Sequence, residues 1–238
     1  MVNPVVVHSG GPLITRLMER SGKAVHFVEG MRVTDDETMA LVETALRQVN
    51  QELVELIERQ GAPAKGFGGW ETSLVRAFLR RHVLPNGEAV DLGRVGAVES
   101  VNPRPIRLLQ ERRIVPVIAP LGIGADALIY NINADLVAGE VAAILGAAIL
   151  ILLTEVPGVL TPDGCRYRRL SRWGAESLVR DGEISGGMLP KVDRFRRDVS
   201  RRRDATRSRR VERPLRSGQL SAGGDEPELA NGLRRGGL

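Results

Sequence analysis

Ile114-Val-Pro-Val-Ile-Ala-Pro-Leu-Gly-Ile-Gly124 is a continuous apolar run that ends in glycine-bearing turns. A strand with no polar alternation is covered on both faces, which is the signature of a parallel sheet inside an α/β domain. A second such run, Ala148-Ile-Leu-Ile-Leu-Leu-Thr154, leads into Pro157-Gly158. A shorter one, Pro4-Val-Val-Val-His8, leads into Ser9-Gly10-Gly11-Pro12 and then a helix with Pro12 in its first turn. Between these runs lie helical patterns. Thr34-Asp35-Asp36-Glu37 has the spacing of a capping box. Behind it Leu41, Ala45, Val49, Leu53, Leu56 and Ile57 share a face of a helix predicted over Asp36–Arg59 and ended by Gly61. Further helices are predicted over Arg104–Glu111 and Ala134–Leu145. Strands and helices alternating with glycine-rich turns predict an open α/β sheet with ligands at the carboxyl ends of its strands.

The chain has 238 residues, a net charge of +5 and a sequence pI near 10.1. The basicity is local. Residues 193–238 hold 13 arginines, no lysine and 7 acidic residues, a net of +6, which leaves −1 for residues 1–192. The body therefore has no electrostatic footprint for nucleic acid. The tail has one aromatic, Phe195, and little to stack bases on. Only 11 of its 46 residues are hydrophobic, too few to offset the entropy of ordering. The expected organisation is an α/β domain over 1–192 and a disordered arginine-rich tail over 193–238. Cys165 is the only cysteine, which excludes an intrachain disulfide and suits a reducing cytoplasm; in a turn between Gly164 and Arg166 it reads as an inert thiol. The N-terminus has no basic region or cleavage site of a signal peptide. The longest apolar run, about Val137 to Leu153, contains Glu140 and glycines and reads as a buried helix then a buried strand, not a membrane span.

The stretch Glu183-Ile-Ser-Gly-Gly-Met-Leu-Pro-Lys191 carries chemistry. Paired glycines let backbone amides approach a bulky anion, and a lysine beside them neutralises charge on a transferring phosphoryl group. Lysine is scarce, occurring only at 23, 65 and 191. The competing reading is a surface loop with a solvated lysine. Other candidates also have local alternatives: Arg32 as a solvated loop charge, Asn131 as a turn residue, Asn133 or Asp135 as a helix cap, and His8 as a structural strand-end histidine or a base.

Six motifs occur in order: His8-Ser-Gly-Gly-Pro12, Gly30-Met-Arg-Val-Thr34, Asp91 to Asn102, Tyr130-Asn-Ile-Asn-Ala-Asp135, Leu152-Leu-Thr-Glu-Val-Pro-Gly-Val159 and Ile184 to Lys191. Over about residues 3–192 this set resembles the N-acetylglutamate kinases, a branch of the amino acid kinase family that serves arginine biosynthesis. The resemblance implies a three-layer αβα sandwich with a mostly parallel open sheet. It also implies transfer of the γ-phosphoryl of ATP to the side-chain carboxylate of N-acetyl-L-glutamate. Carried over, Gly10, Gly11, Arg32, Asn131 and Asn133 would bind the substrate, with Arg32 on a carboxylate, for which a planar fork is suited. Asp135 and Lys191 would be catalytic, Asp135 orienting and Lys191 stabilising the phosphoryl in flight. Thr154, Glu155, Val156, Pro157, Gly158, Val159, Gly186, Gly187 and Met188 would line the nucleotide, ATP with Mg²⁺. The implied partners are N-acetyl-L-glutamate, ATP and a second copy of the chain in a dimer, with neither nucleic acid nor membrane, in the cytoplasm. The resemblance leaves His8 open between its two roles.

The sequence departs from the family pattern in three places. The family's opening strand and Lys-x-Gly-Gly turn have no counterpart ahead of Pro4, Ser9 replaces the first glycine of His-Gly-Gly-Gly, and Gly69-Trp70-Glu71-Thr72 stands where Gly-Lys-Asp-Gly is usual. After Lys191-Val192 the family's helix, strand and Gly-Thr segment give way to the arginine-rich sequence, as a shift of reading frame would produce. The expectation is a fold incomplete at both ends and an acetylglutamate kinase by descent with impaired turnover. The alternative is a catalytically inactive remnant that binds nucleotide or a partner.

Overall fold

The computed structural model describes residues 2–69, 73–84, 87–153, 158–160, 167 and 170–184. Its centre is a three-stranded parallel sheet of β1 (Val6–Val7), β9 (Val115–Ile118) and β4 (Ala64–Phe67), in the order β1-β9-β4. Val6 aligns with Val117, and Ala64 with Val115. β9 is the run that opens at Ile114, and it lies between two strands as its unbroken apolarity requires. It tolerates Pro116 because the N–H groups of Val115 and Ala119 reach toward β4, so the one that proline lacks would face the side where β1 has not yet begun.

Successive side chains of this strand enter different cores. Ile118 packs with Ile106, Val137 and Val141, which come from α3 (Arg104–Glu111) and α4 (Ala134–Leu145). Ala119 joins Ile14, Met18, Val42 and Leu46 from α1 (Gly11–Arg20) and α2 (Asp36–Arg59). These are the helix, sheet and helix layers expected from the sequence.

A second sheet, order β11-β10-β5-β8, contains β5 (Val75–Leu79), β8 (Gly96–Val101), β10 (Leu121–Ile123) and β11 (Ile129–Asn131). It is mixed: β10 is parallel to β5, whereas β5/β8 and β10/β11 are antiparallel. Two ribbons complete the described strands, β2 (Phe27–Val28) with β3 (Met31–Arg32) and β6 (His82–Val83) with β7 (Ala89–Val90). The turn of the first ribbon places Glu29 at φ +47° and Gly30 at φ +78°, both left-handed as a two-residue hairpin loop demands. α5 (Arg172–Arg180), capped by Ser171 Oγ, packs in a separate small cluster with Val159 and Ile184.

Three sequence expectations need correction. The cap of α2 is Asp35, whose carboxylate accepts from the Thr38 amide at 2.7 Å. The Thr34 hydroxyl instead donates to the Arg32 carbonyl, and Glu37 pairs with Lys23. The buried face of α2 runs through Thr38, Met39, Val42, Ala45, Leu46 and Asn50, whereas Leu56 is half exposed, because the helix turns the side bearing Asn50 and Val54 toward the sheet and Leu56 away from it. Residues 148–153 form no strand, and Ile149, Ile151 and Leu153 are 57%, 50% and 68% exposed. No described strand runs beside them, and an apolar run becomes a strand only where its N–H and C=O groups find a ladder.

The Asp35 cap has a measurable consequence. Hydrogen bonds from Thr38, then the Lys23 ammonium, hold its carboxyl at about 2, below its ordinary 3.8. Because the folded-state value is the lower one, the stabilisation is complete above pH 4 and is lost as pH falls through about 2. Asp35→Ala is expected to cost about 1 kcal/mol at neutral pH, whereas Asp35→Asn keeps most of the cap and loses the acid dependence. Urea melts at pH 7 and at stepwise lower pH check both.

Candidate active site

A cavity of about 430 Å³ opens where the carboxyl ends of β1 and β9 meet α1, the β2–β3 ribbon, the β5–β8 pair and the start of α4. Gly10 and Gly11 form its floor at the N-terminus of α1, where first-turn amides have no carbonyl of their own helix to bond and the helix dipole favours an anion. No side chain caps this end. A Cβ at position 10 would stand 2.7 Å from Leu46 Cδ2, so the end of that side chain would have to shift to admit it.

Arg32 enters from β3 and is 8% exposed. Its guanidinium donates to Thr15 Oγ1 at 2.8 Å, Gly11 O at 3.3 Å and Met18 Sδ at 3.2 Å. Gly11, Thr15 and Met18 are spaced i, i+4, i+7, so one face of α1 holds it. The hairpin register sets Phe27 opposite Arg32, and the Phe27 ring centroid lies 4.6 Å from Arg32 Cζ. Burial pushes the Arg32 pKa down, yet arginine starts high enough to stay charged. Three of its five N–H donors are engaged and none meets a carboxylate among the described residues. A buried cation without a counter-ion is costly, and an anionic ligand removes that cost.

Asn131 lies beside it. Its Nδ2 donates to Thr34 Oγ1 at 3.2 Å, and that hydroxyl donates onward to Arg32 O at 2.8 Å. The amide is thereby oriented with its carbonyl oxygen left to accept an N–H. Asn133 is the cap of α4, accepting from the amides of Asp135 at 2.8 Å and Leu136 at 3.3 Å, and it also lines the cavity. Asp135 sits half-buried in the first turn of α4, between the lining residues Ala134 and Leu136. The apolar wall is Ile14, Leu46, Val95, Ile132 and Leu136.

His8 is a structural residue. Burial pushes its pKa down and holds the ring neutral. Nδ1 donates to Ser9 O at 3.2 Å, so Nε2 accepts from Asn50 Nδ2 at 3.0 Å, and Asn50 also donates to Val117 O. With both nitrogens engaged, the ring ties β1 to α2 and β9.

The structure thus brings Gly10, Gly11, Arg32, Asn131 and Asn133 to one cavity, with Asp135 at its edge. The residues expected around the nucleotide fall mostly outside the described ones. Gly158, at φ +139°, and Val159 are described, while Thr154, Glu155, Val156, Pro157, Gly186, Gly187, Met188 and Lys191 lie outside the described residues, as do Cys165 and 193–238. Among the described residues no three metal-ligating side chains converge, and no helix is long and apolar enough to cross a membrane. Sequence reasoning missed Thr15, Phe27 and Arg80, all of which line the cavity. Thr15 was accessible from its helical spacing to Gly11, and Phe27 from the Glu-Gly turn that sets it opposite Arg32.

The fold and the cavity together set a buried guanidinium and the uncapped first turn of a helix at the carboxyl end of an open α/β sheet. Residues 1–203 match the amino acid kinase family, and the chain belongs to that family. It is 49% identical over 193 residues to an acetylglutamate kinase of Nitrosospira multiformis and 46% identical over 196 residues to one of Burkholderia ambifaria. Each match covers 80% of this chain and 66% or 65% of the relative, so the chain spans a little under two thirds of the length of these curated relatives. Among solved structures it is similar to smu.665 from Streptococcus mutans UA159, with a TM-score of 0.73 and 31% identity over 83% of this chain and 78% of that one.

Proposed function

We propose that the cavity binds N-acetyl-L-glutamate and that the protein is an acetylglutamate kinase of arginine biosynthesis. One observation carries the reading: Arg32, a buried guanidinium with two donors left and no described carboxylate partner, faces the same cavity as the open amides of α1. Arg32 holds one substrate carboxylate. The Asn131 carbonyl accepts the acetamido N–H, and the apolar wall covers the acetyl methyl. The acceptor carboxylate lies toward the Gly10-Gly11 amides, which remain to stabilise charge once phosphoryl transfer begins. A carboxylate oxygen bonds to the γ-phosphorus of ATP as the bond to ADP breaks, giving an acyl phosphate. ATP with Mg²⁺ supplies the phosphoryl group when bound; Gly158 and Val159, together with the nucleotide-side residues named above and Lys191, belong to this half of the site, and Asp135 orients the lysine. The kinase domain is assigned to 1–192, with the arginine-rich segment 193–238 outside it. The working form is a cytoplasmic homodimer.

The acyl phosphate is directly testable, because hydroxylamine traps it as a hydroxamate. Hydroxamate and ADP are expected from N-acetyl-L-glutamate with ATP and Mg²⁺, and not from aspartate, glutamate or carbamate. Hydroxamate from one of those three instead would overturn the substrate assignment. Saturable binding of N-acetyl-L-glutamate or ATP without hydroxamate is the outcome of the alternative, a binding remnant of the kinase.

A further inference from the structure

Thr34 is fully buried behind the cavity and is not one of the residues that line it. Its one hydroxyl proton goes to Arg32 O at 2.8 Å, because a carbonyl can only accept. The hydroxyl then meets Asn131, 3.2 Å away, only as an acceptor, so the end of the amide that faces it must be Nδ2. The Asn131 oxygen is left on the other side. It has no partner among the described residues and is not sealed from solvent, so it opens on the cavity that Asn131 lines. The backbone holds this arrangement from both ends. Thr34 N donates to Leu92 O at 2.9 Å, Arg94 N donates to Thr34 O at 2.6 Å, and Asn131 N donates to Arg94 O at 2.8 Å, so one short segment spaces the two side chains. Gly93, at φ +64°, permits the approach, since a Cβ there would collide with Thr34 O.

We propose that Thr34 is a positioning residue that fixes the sense of the Asn131 amide and thereby makes the site select an N-acyl dicarboxylate over its O-acyl counterpart. The proposal rests on the assignment of the cavity to N-acetyl-L-glutamate. An acyl N–H meets the outward oxygen of Asn131 as a donor. The ester oxygen that replaces it carries only lone pairs and is repelled. Without the Thr34 hydroxyl the amide has no fixed sense, and it turns about its broad terminal torsion to offer Nδ2 to an ester or Oδ1 to an amide.

Calorimetric titration of the full chain with N-acetyl-L-glutamate and with the acetate ester of L-2-hydroxyglutarate tests this. The two ligands share both carboxylates and the acetyl group and differ only in N–H against O. The unmodified protein is expected to prefer the amide roughly 10- to 100-fold, the cost of replacing a hydrogen bond by two opposed acceptors. Thr34→Val keeps the shape and is expected to lower that ratio to about 3-fold or less, by weakening the amide and not the ester. Thr34→Ser keeps the hydroxyl and is expected to retain the ratio. A merely structural Thr34 would weaken both ligands alike, and an unchanged ratio in Thr34→Val overturns the proposal. Hydrogen exchange in the unmodified, ligand-free chain gives a check that needs no variant. The Asn131 Nδ2 proton toward Thr34 should be protected, and exchange at the rate of a solvated asparagine overturns the fixed orientation. An unmodified protein that binds both ligands equally overturns this proposal and leaves Arg32 as the carboxylate site. One that binds neither overturns the cavity assignment itself.

Discussion

Gly69→Ala is expected to destabilise the protein by more than about 3 kcal/mol, enough to unfold a domain of ordinary stability in part. A Cβ at this position would stand 1.1 Å from the backbone oxygen of Leu121 and 2.2 Å from its carbonyl carbon. Neither is the far end of a flexible side chain, so relief requires β10 to move. Leu121 and Val75 are both fully buried, and Gly69 O accepts the Val75 amide at 3.0 Å. A shift there breaks the entry to β5 and disturbs β10, β11 and Asn131 at the end of β11. Gly11→Ala is the control, since nothing lies within 4 Å of a Cβ at that site, and its melt should stay close to that of the unmodified protein. A Gly69→Ala protein that melts within about 1 kcal/mol of the original would show that the approach of Gly69 to Leu121 is looser than described.

Arg32 is expected to affect binding and stability in opposite directions. Arg32→Lys keeps the charge and loses the fork, so the Michaelis constant for N-acetyl-L-glutamate should rise roughly 10- to 100-fold with that for ATP unchanged. Arg32→Met removes the charge altogether. Binding of N-acetyl-L-glutamate should then vanish, yet the apo protein should melt no lower than before, because a desolvated cation without a counter-ion has been replaced by an apolar side chain. The Thr15 hydroxyl is left near the surface of the cavity, where water reaches it. A ligand-binding residue costs stability in the empty site, whereas a structural one contributes it. Equal effects on both substrates, or a large loss of melting temperature in Arg32→Met, would make Arg32 a support for the ribbon.

The sequence disclosed most where a pattern was long. α2, α3 and α4 fall at the predicted bounds, since a helical period acts on neighbouring residues, joined in α2 and α4 by a side-chain cap and a glycine at the end. The choice between Thr34 and Asp35 as cap was not local. It turned on whether the Thr34 hydroxyl was already committed to Arg32 O, which depends on the ribbon. The strands of the second sheet are three to six residues long, too short to separate from loops by periodicity, and their pairing depends on distant partners. Residues 148–153 show the reverse error, since apolarity alone suggested a strand that has no described neighbour. In the site, Gly10, Gly11, Arg32 and Asn131 were legible because each sits in a short motif. Arg80 was not, because it comes from a plain strand end and joins the cavity only through the β5–β8 register.

The central claim is that N-acetyl-L-glutamate sits between the first turn of α1 and Arg32. Titrating the isotopically labelled chain with this ligand and following the backbone amides of Gly10 and Gly11, the Asn131 side-chain amide and the Arg32 guanidinium by nuclear magnetic resonance tests it without requiring turnover. These signals are predicted to shift together, saturably and with a single dissociation constant, while those of α3 stay in place. Saturable shifts confined to other elements, or none at millimolar ligand, would contradict the account.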